Sequence, residues 1–153
     1  MADTENTLIL ETTQGEIKIE MNPALAPAHV ARIKELVGEG FYDGVVFHRV
    51  IDGFMAQTGC PEGTGTGGSG KKLKAEFNNQ KHGRGTVSMA RAANPDSGDS
   101  QFFICFTEAP WLDGQYTAWG QVTEGMDNVD KIKRGEPVSN PDKIVKARMA
   151  KAA

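Results

Sequence analysis

Ile17, Ile19 and Met21 alternate with Glu16, Lys18 and Glu20. This period of two predicts a strand with one face in a core and one in water. An apolar run over residues 7–12 precedes it, with only Thr13, Gln14 and Gly15 between, so the two runs predict a hairpin. Residues 143–149 close the chain in the same way, with Val145, Ala147 and Met149 set against Lys146 and Arg148. The period changes after Pro27, where Val30, Ile33, Leu36 and Val37 mark one side of a helix that Gly38 and Gly40 end. A second helix is predicted around residues 126–133. Further strands are predicted at 45–50, 54–57, 85–90, 101–106 and 117–122. About eight short strands joined by Gly, Asn and Asp turns, with two helices, point to a closed antiparallel barrel, because closure removes exposed strand edges. A sandwich built from the same strands also fits the pattern.

One segment combines apolar pattern with chemistry. Phe47-His48-Arg49-Val50-Ile51-Asp52-Gly53-Phe54-Met55-Ala56-Gln57 sets one arginine and one glutamine among apolar residues, on either side of an Asp-Gly turn. Alternation puts Val45, Phe47 and Arg49 on one face of the first strand, and Met55 and Gln57 on one face of the next. An apolar site with a single fixed positive charge suits an uncharged substrate whose transition state needs one more hydrogen bond than its ground state.

Composition narrows the function classes. A chain of 153 residues is most simply one domain with a core of its own. A net charge of -3 offers no general attraction to nucleic acid or to anionic membranes. Cys60 and Cys105 are too few for a disulfide framework, and their separation fits no zinc or redox pair. They read as reduced cysteines of a cytoplasmic protein. The first residues are polar and acidic, unlike a secretory signal, and no apolar run reaches membrane-spanning length.

Two glycine motifs are refused on context. Gly65-Thr66-Gly67-Gly68-Ser69-Gly70 satisfies the dinucleotide pattern, and Gly65 to Lys71 most of a P-loop, yet Lys72 stands where a magnesium-binding hydroxyl belongs. The run follows Cys60-Pro61-Glu62-Gly63 rather than a buried strand and leads into a short polar stretch, so it reads as a surface loop bordering a groove. His29, His48 and His82 lack the spacing of a metal set, and His48 reads as structural or solvent-facing. Ser88 and Ser100 lack a nucleophile-elbow setting. Asp96, Asp99, Glu108 and Asp113 sit in turn-like stretches where acidic residues are commonplace. The reading therefore calls for no metal and no cofactor.

Several motifs together are more specific than any alone. The segment 47–57, then Gly65-Thr66-Gly67-Gly68, Ser88-Met89-Ala90, Ser100-Gln101-Phe102-Phe103-Ile104 and Trp111-Leu112-Asp113-Gly114, occur in the order and spacing of the cyclophilins. From about residue 7 to 149 the chain resembles that family of peptidyl-prolyl cis-trans isomerases, particularly its short single-domain bacterial members. The resemblance implies an eight-stranded closed antiparallel barrel with a helix at each end. It implies that Arg49 is catalytic, that Phe54, Met55, Phe103 and Leu112 wall a proline pocket, and that Gln57 bonds the substrate backbone. It places Gly65, Ala90, Arg91, Ala92, Gln101, Trp111 and Tyr116 along the groove. Arg91 stands where many members carry Asn, and Tyr116 where many carry His. The partners implied are proline-containing peptides and folding proteins, with cyclosporin A as an inhibitor through Trp111, and a monomeric chain. A binding module that holds proline-containing segments without turnover would use the same groove, and Arg49 is the residue that separates the two readings.

Overall fold

The computed structural model describes residues 6–63, 67–91, 94–135 and 138–150. The strands are β1 (Thr7–Thr12), β2 (Gly15–Met21), β3 (Arg49–Ile51), β4 (Met55–Thr58), β5 (Thr86–Met89), β6 (Phe102–Cys105), β7 (Ala118–Glu124) and β8 (Ile144–Met149), with helices α1 (Pro27–Gly38) and α2 (Met126–Asp130). They form one antiparallel sheet in the order β3-β4-β6-β5-β7-β2-β1-β8. The predicted hairpin pairs Leu8 with Ile19 and Leu10 with Ile17, all four fully buried.

The expected closed barrel is not what forms. The sheet is an open half-barrel whose end strands are β3 and β8, with no ladder joining them among the described residues. The outer edge of β3 is already taken: Val50 and Gly135 exchange backbone hydrogen bonds of 2.8 Å in each direction. The segment before β3 meets the start of β8 through an isolated bridge between Val46 and Lys143, with backbone hydrogen bonds from Gly44 to Ile144, Ile144 to Val45 and Phe47 to Asp142 of 2.7–2.8 Å, but no ladder. The predicted strand at 45–50 shortens to Arg49–Ile51 for a related reason. Residues 47 and 48 stand outside the β3–β4 ladder and the alternation resets there, so Phe47 packs in the main core while Arg49 faces the other side. Phe47 and Arg49 therefore do not share the face that simple alternation assigns them. In β8 the register shifts opposite Glu11 and Thr12, leaving Val145 as a bulge residue without a partner and 53% exposed, against the inward position that alternation assigns it.

Helix α1 buries Val30, Ile33, Leu36 and Val37 as its period requires. Its first turn has no local side-chain cap; the Glu76 carboxylate accepts from the Ala28 and His29 amides at 3.2 and 2.8 Å instead. Helix α2 ends earlier than expected, at Asp130. No helix among the described residues is long and apolar enough to cross a membrane.

The sheet is apolar on both faces where the site lies. Val50, Ala56, Val87, Met89, Phe102 and Ile104 join the main core with Trp119 and Tyr42. On the reverse face Met55, Phe103, Cys105, Ala109 and Leu112 form a second cluster, with Ile51, Phe54, Ala90 and Tyr116 packed against it. Phe102 and Phe103 thus point to opposite sides, as a strand dictates.

Candidate active site

The second cluster is built by cross-strand pairing. Arg49 lies opposite Gln57, Gln57 opposite Phe103 and Phe103 opposite Ser88, one row across β3, β4, β6 and β5. Ile51, Met55 and Cys105 make the next row. A row needs the turn between β3 and β4 to be tight, and Gly53 supplies a left-handed φ of 72° there.

A helical turn at Pro110–Leu112 and the loop after it cover this face. Leu112 is buried among Met55 and Phe103, and the Tyr116 ring meets Phe103 edge-on at 5.8 Å. Trp111 stays 63% exposed and leans on Phe54 with ring centres 5.6 Å apart. Arg91 closes the far side: its guanidinium sits 4.5 Å above the Tyr116 ring and donates to the Gln115 carbonyl at 3.1 and 2.8 Å. The two departures from the commonest family pattern thus contact each other.

The result is a cavity of about 450 Å³ lined by Arg49, Phe54, Met55, Gln57, Ala90, Arg91, Phe103, Trp111, Leu112 and Tyr116, together with Gln115. Gln101 lies outside it, in an adjoining depression that shares Gln57, Ala90 and Arg91. Gly65 and Ala92 lie outside the described residues. Gln115 escaped sequence reasoning because its carbonyl contributes, and a carbonyl leaves no mark in the side-chain pattern.

Polar groups in the site are few and directed. Arg49 Nη1 donates to Gln57 Oε1 at 3.2 Å, and Gln57 Nε2 donates to Gln101 Oε1 at 3.0 Å. Both ends of the Gln57 amide are therefore engaged within the protein, so a bond to substrate backbone must use its second hydrogen or lone pair. Three of the four acidic residues flagged in turns, all but Glu108, serve backbone amides: Asp99 takes Ser69 and Gly70, Asp96 takes Ala75, and Asp113 takes His82. None of these carboxylates lines the cavity.

Behind the pocket lies a set of contacts that sequence reasoning missed. His82 Nδ1 faces Asp113 Oδ1 at 3.0 Å and its Nε2 faces Ser88 Oγ at 2.9 Å. A carboxylate only accepts, so Nδ1 carries the proton and Nε2 accepts from the serine hydroxyl. Burial pushes the His82 pKa down, against the opposing pull of Asp113. The contacts look like a nucleophilic triad, but Ser88 is fully buried opposite Phe103 and cannot meet a substrate. Instead the His82 ring stacks on Phe103 at 6.3 Å and supports the pocket floor. His48 is buried too, with neither ring nitrogen hydrogen-bonded in good geometry among the described residues. Burial first and the Arg49 charge second lower its pKa.

Comparison with known proteins agrees with this geometry. The family described as "Cyclophilin type peptidyl-prolyl cis-trans isomerase/CLD" matches residues 7–152. A probable peptidyl-prolyl cis-trans isomerase of Brucella suis is 54% identical over 163 residues, covering 95% of this chain and 83% of that one. Peptidyl-prolyl cis-trans isomerase B of Bacillus subtilis is 46% identical over 124 residues, covering 80% and 86%. Among solved structures, a cyclophilin of Hirschia baltica superposes with a TM-score of 0.90 at 33% identity, over 97% of this chain and 75% of that one. A cyclophilin-type isomerase of Cryptosporidium parvum, crystallised in the presence of the dipeptide Ala-Pro, gives a TM-score of 0.87 at 28% identity, over 94% and 98%. A pocket on the outer face of a β half-barrel, walled by Phe54, Met55, Phe103 and Leu112 with Arg49 and Arg91 in its lining, and a family match along nearly the whole chain lead to one conclusion: this protein belongs to the cyclophilin-type peptidyl-prolyl cis-trans isomerases.

Proposed function

We propose that the protein rotates X-Pro peptide bonds non-covalently, with Arg49 stabilising the twisted amide. The observation that carries the reading is an arginine oriented by Gln57 at the rim of a pocket walled by Met55, Phe103 and Leu112. Amide resonance gives rotation a barrier of about 18–20 kcal/mol, and uncatalysed X-Pro exchange takes about 10–100 s. At the twisted midpoint the proline nitrogen loses conjugation and gains a usable lone pair. A guanidinium beside it donates a hydrogen bond that the planar amide accepts poorly, which is stabilisation confined to the transition state.

Magnitudes assign the work to more than one group. Reaching about a thousand turnovers per second requires lowering the barrier by about 6 kcal/mol. A charged hydrogen bond contributes about 1.5–3 kcal/mol net. The remainder falls to the apolar walls, since a twisted amide is less polar than a planar one and loses less on leaving water, and to orientation by Gln57.

The substrates on this reading are proline-containing peptides and flexible segments of folding proteins, in keeping with the Ala-Pro dipeptide in whose presence the Cryptosporidium parvum protein was crystallised. Folding assistance follows from the same activity. The pocket is complete within one chain, which supports action as a monomer. Free Cys60 and Cys105 suit a cytoplasmic setting. Exposed Trp111 is the contact assigned to cyclosporin A. The test is nuclear magnetic resonance of a proline peptide with separate cis and trans signals. Catalytic amounts of protein should merge them by exchange; binding shifts without exchange would make the protein a holder of proline segments instead.

A further inference from the structure

The glycine-rich run refused as a nucleotide motif ends a hydrogen-bond relay that begins at Arg49. Arg49 donates to Gln57 Oε1 at 3.2 Å, Gln57 Nε2 donates to Gln101 Oε1 at 3.0 Å, and Gln101 Nε2 donates to the Gly67 carbonyl at 2.9 Å. The relay has one polarity. A guanidinium only donates, so Gln57 must turn its oxygen toward Arg49, which points its amide nitrogen at Gln101. Gln101 must then present its oxygen to Gln57 and its nitrogen to a fixed acceptor. The Gly67 carbonyl is that acceptor, and a carbonyl cannot reverse its role.

The end of the relay is anchored. Gly67 N donates to the buried Cys60 Sγ at 3.3 Å, so both polar groups of this residue are engaged. Two residues on, the Asp99 carboxylate takes the Ser69 amide at 2.7 Å and hydroxyl at 2.5 Å, and Arg32 of α1 reaches the same hydroxyl at 2.9 Å. A Cβ on Gly68 would lie 2.6 Å from the Asp99 carboxylate, which the Ser69 and Gly70 amides hold in place, whereas one on Gly67 would meet only the exposed end of Glu62, which can swing aside. The loop is thus bound to the body of the fold by groups that never touch the proline pocket.

We infer that Gln101, with the Gly67 carbonyl as its anchor, is a positioning residue that sets the direction of the Arg49 guanidinium through Gln57. This rests on the reading of Arg49 as the group that stabilises the twisted amide. It gives the glycine run a task that needs backbone acceptors held still and has no need of phosphate.

The experiment is a double-mutant cycle on the intact chain, measuring kcat, peptide Kd and thermal midpoint for wild type, Gln101→Leu, Arg49→Ala and the double variant. Gln101→Leu should lower kcat about tenfold while peptide Kd stays within about twofold. Adding it to Arg49→Ala should cost nothing further. Gln101→Glu keeps the shape and the acceptor for Gln57 but cannot donate to Gly67, so it should lose kcat similarly and serves if the leucine variant folds poorly. In the same samples, rotation of the Arg49 guanidinium, followed by nitrogen resonance, should be slow in wild type and faster in both Gln101 variants. An equal loss in both Arg49 backgrounds, or unchanged kcat and guanidinium rotation in both Gln101 variants, overturns the inference. Normal turnover by Arg49→Ala would instead overturn the mechanism beneath it.

Discussion

Replacing Arg91 by Asn removes the clamp on one wall of the pocket. Arg91 stacks 4.5 Å above Tyr116 and donates twice to the Gln115 carbonyl, and Tyr116 in turn braces Phe103. A half-exposed charged hydrogen bond contributes about 1.5 kcal/mol at the low end. A cation over an aromatic face at such a site adds about 0.5–1 kcal/mol. Together they hold the loop that carries Tyr116 against the end of β5 with about 2 kcal/mol, of which water recovers part once the arginine is gone. Since about 1.4 kcal/mol is tenfold in an equilibrium constant, Arg91→Asn should weaken peptide binding by about threefold to tenfold through a smaller population of closed pocket. The assay is titration of a proline peptide followed by resonance shifts, which reads Kd directly where KM does not. Tyr116→Leu should weaken binding similarly, and the double variant should be little worse than either alone, because one clamp cannot be lost twice. Unchanged Kd in Arg91→Asn, or losses that add fully in the double variant, would refute the clamp.

Three further outcomes follow from other parts of the fold. His29, His48 and His82 all have pKa values held below the usual 6.5, chiefly by burial. The unfolded chain therefore takes up protons that the native chain refuses. Their contribution to stability should be complete above about pH 6.5 and decline as pH falls below it, so a thermal midpoint at pH 5 equal to that at pH 7.5 would contradict the burial argument. Gly59 has a φ of 99°, and a Cβ there would run into the Ser100 carbonyl and lie 2.8 Å from the Gln101 Cα. Backbone cannot yield as a side chain does, so Gly59→Ala should destabilise by about 2–4 kcal/mol in denaturant titration and impair the Gln101 relay, whereas a loss under about 0.5 kcal/mol would show that the backbone adapts. Trp111→Ala, at a side chain 63% exposed, should leave the thermal midpoint nearly unchanged while abolishing cyclosporin inhibition; full inhibition at micromolar concentration would remove that contact from the account.

Local period made much of this site legible. The spacing from Arg49 through Asp52-Gly53 to Gln57 predicts side chains on neighbouring strands, and they are register partners. Alternation alone separates Phe102 from Phe103. The bounds of β1 and α1 fall where the apolar pattern and the Pro and Gly signals put them. Misreadings arise where pairing is non-local. Nothing within residues 45–50 reveals that Gly135 will occupy the edge of β3 and keep the sheet open, or that the alternation will reset between Phe47 and Arg49. The Val145 bulge depends on β1, which lies at the other end of the sequence. His82, Ser88 and Asp113 become a unit only when two loops and strand β5 meet, and Gly67 and Gln115 contribute carbonyls that any residue possesses. Proline as the substrate came from the linked motifs; pattern alone yielded an apolar site with one charge.

The central claim is that Arg49 acts on the transition state and hardly on the bound peptide. The most direct measurement is kcat and peptide Kd for Arg49→Ala beside wild type, on one proline peptide, with the thermal midpoint of each. A transition-state hydrogen bond of about 3 kcal/mol predicts kcat lower by about a hundredfold or more, with Kd within about threefold and the midpoint little changed. Turnover close to wild type, or a fall in activity matched by an equal loss of binding, would contradict it.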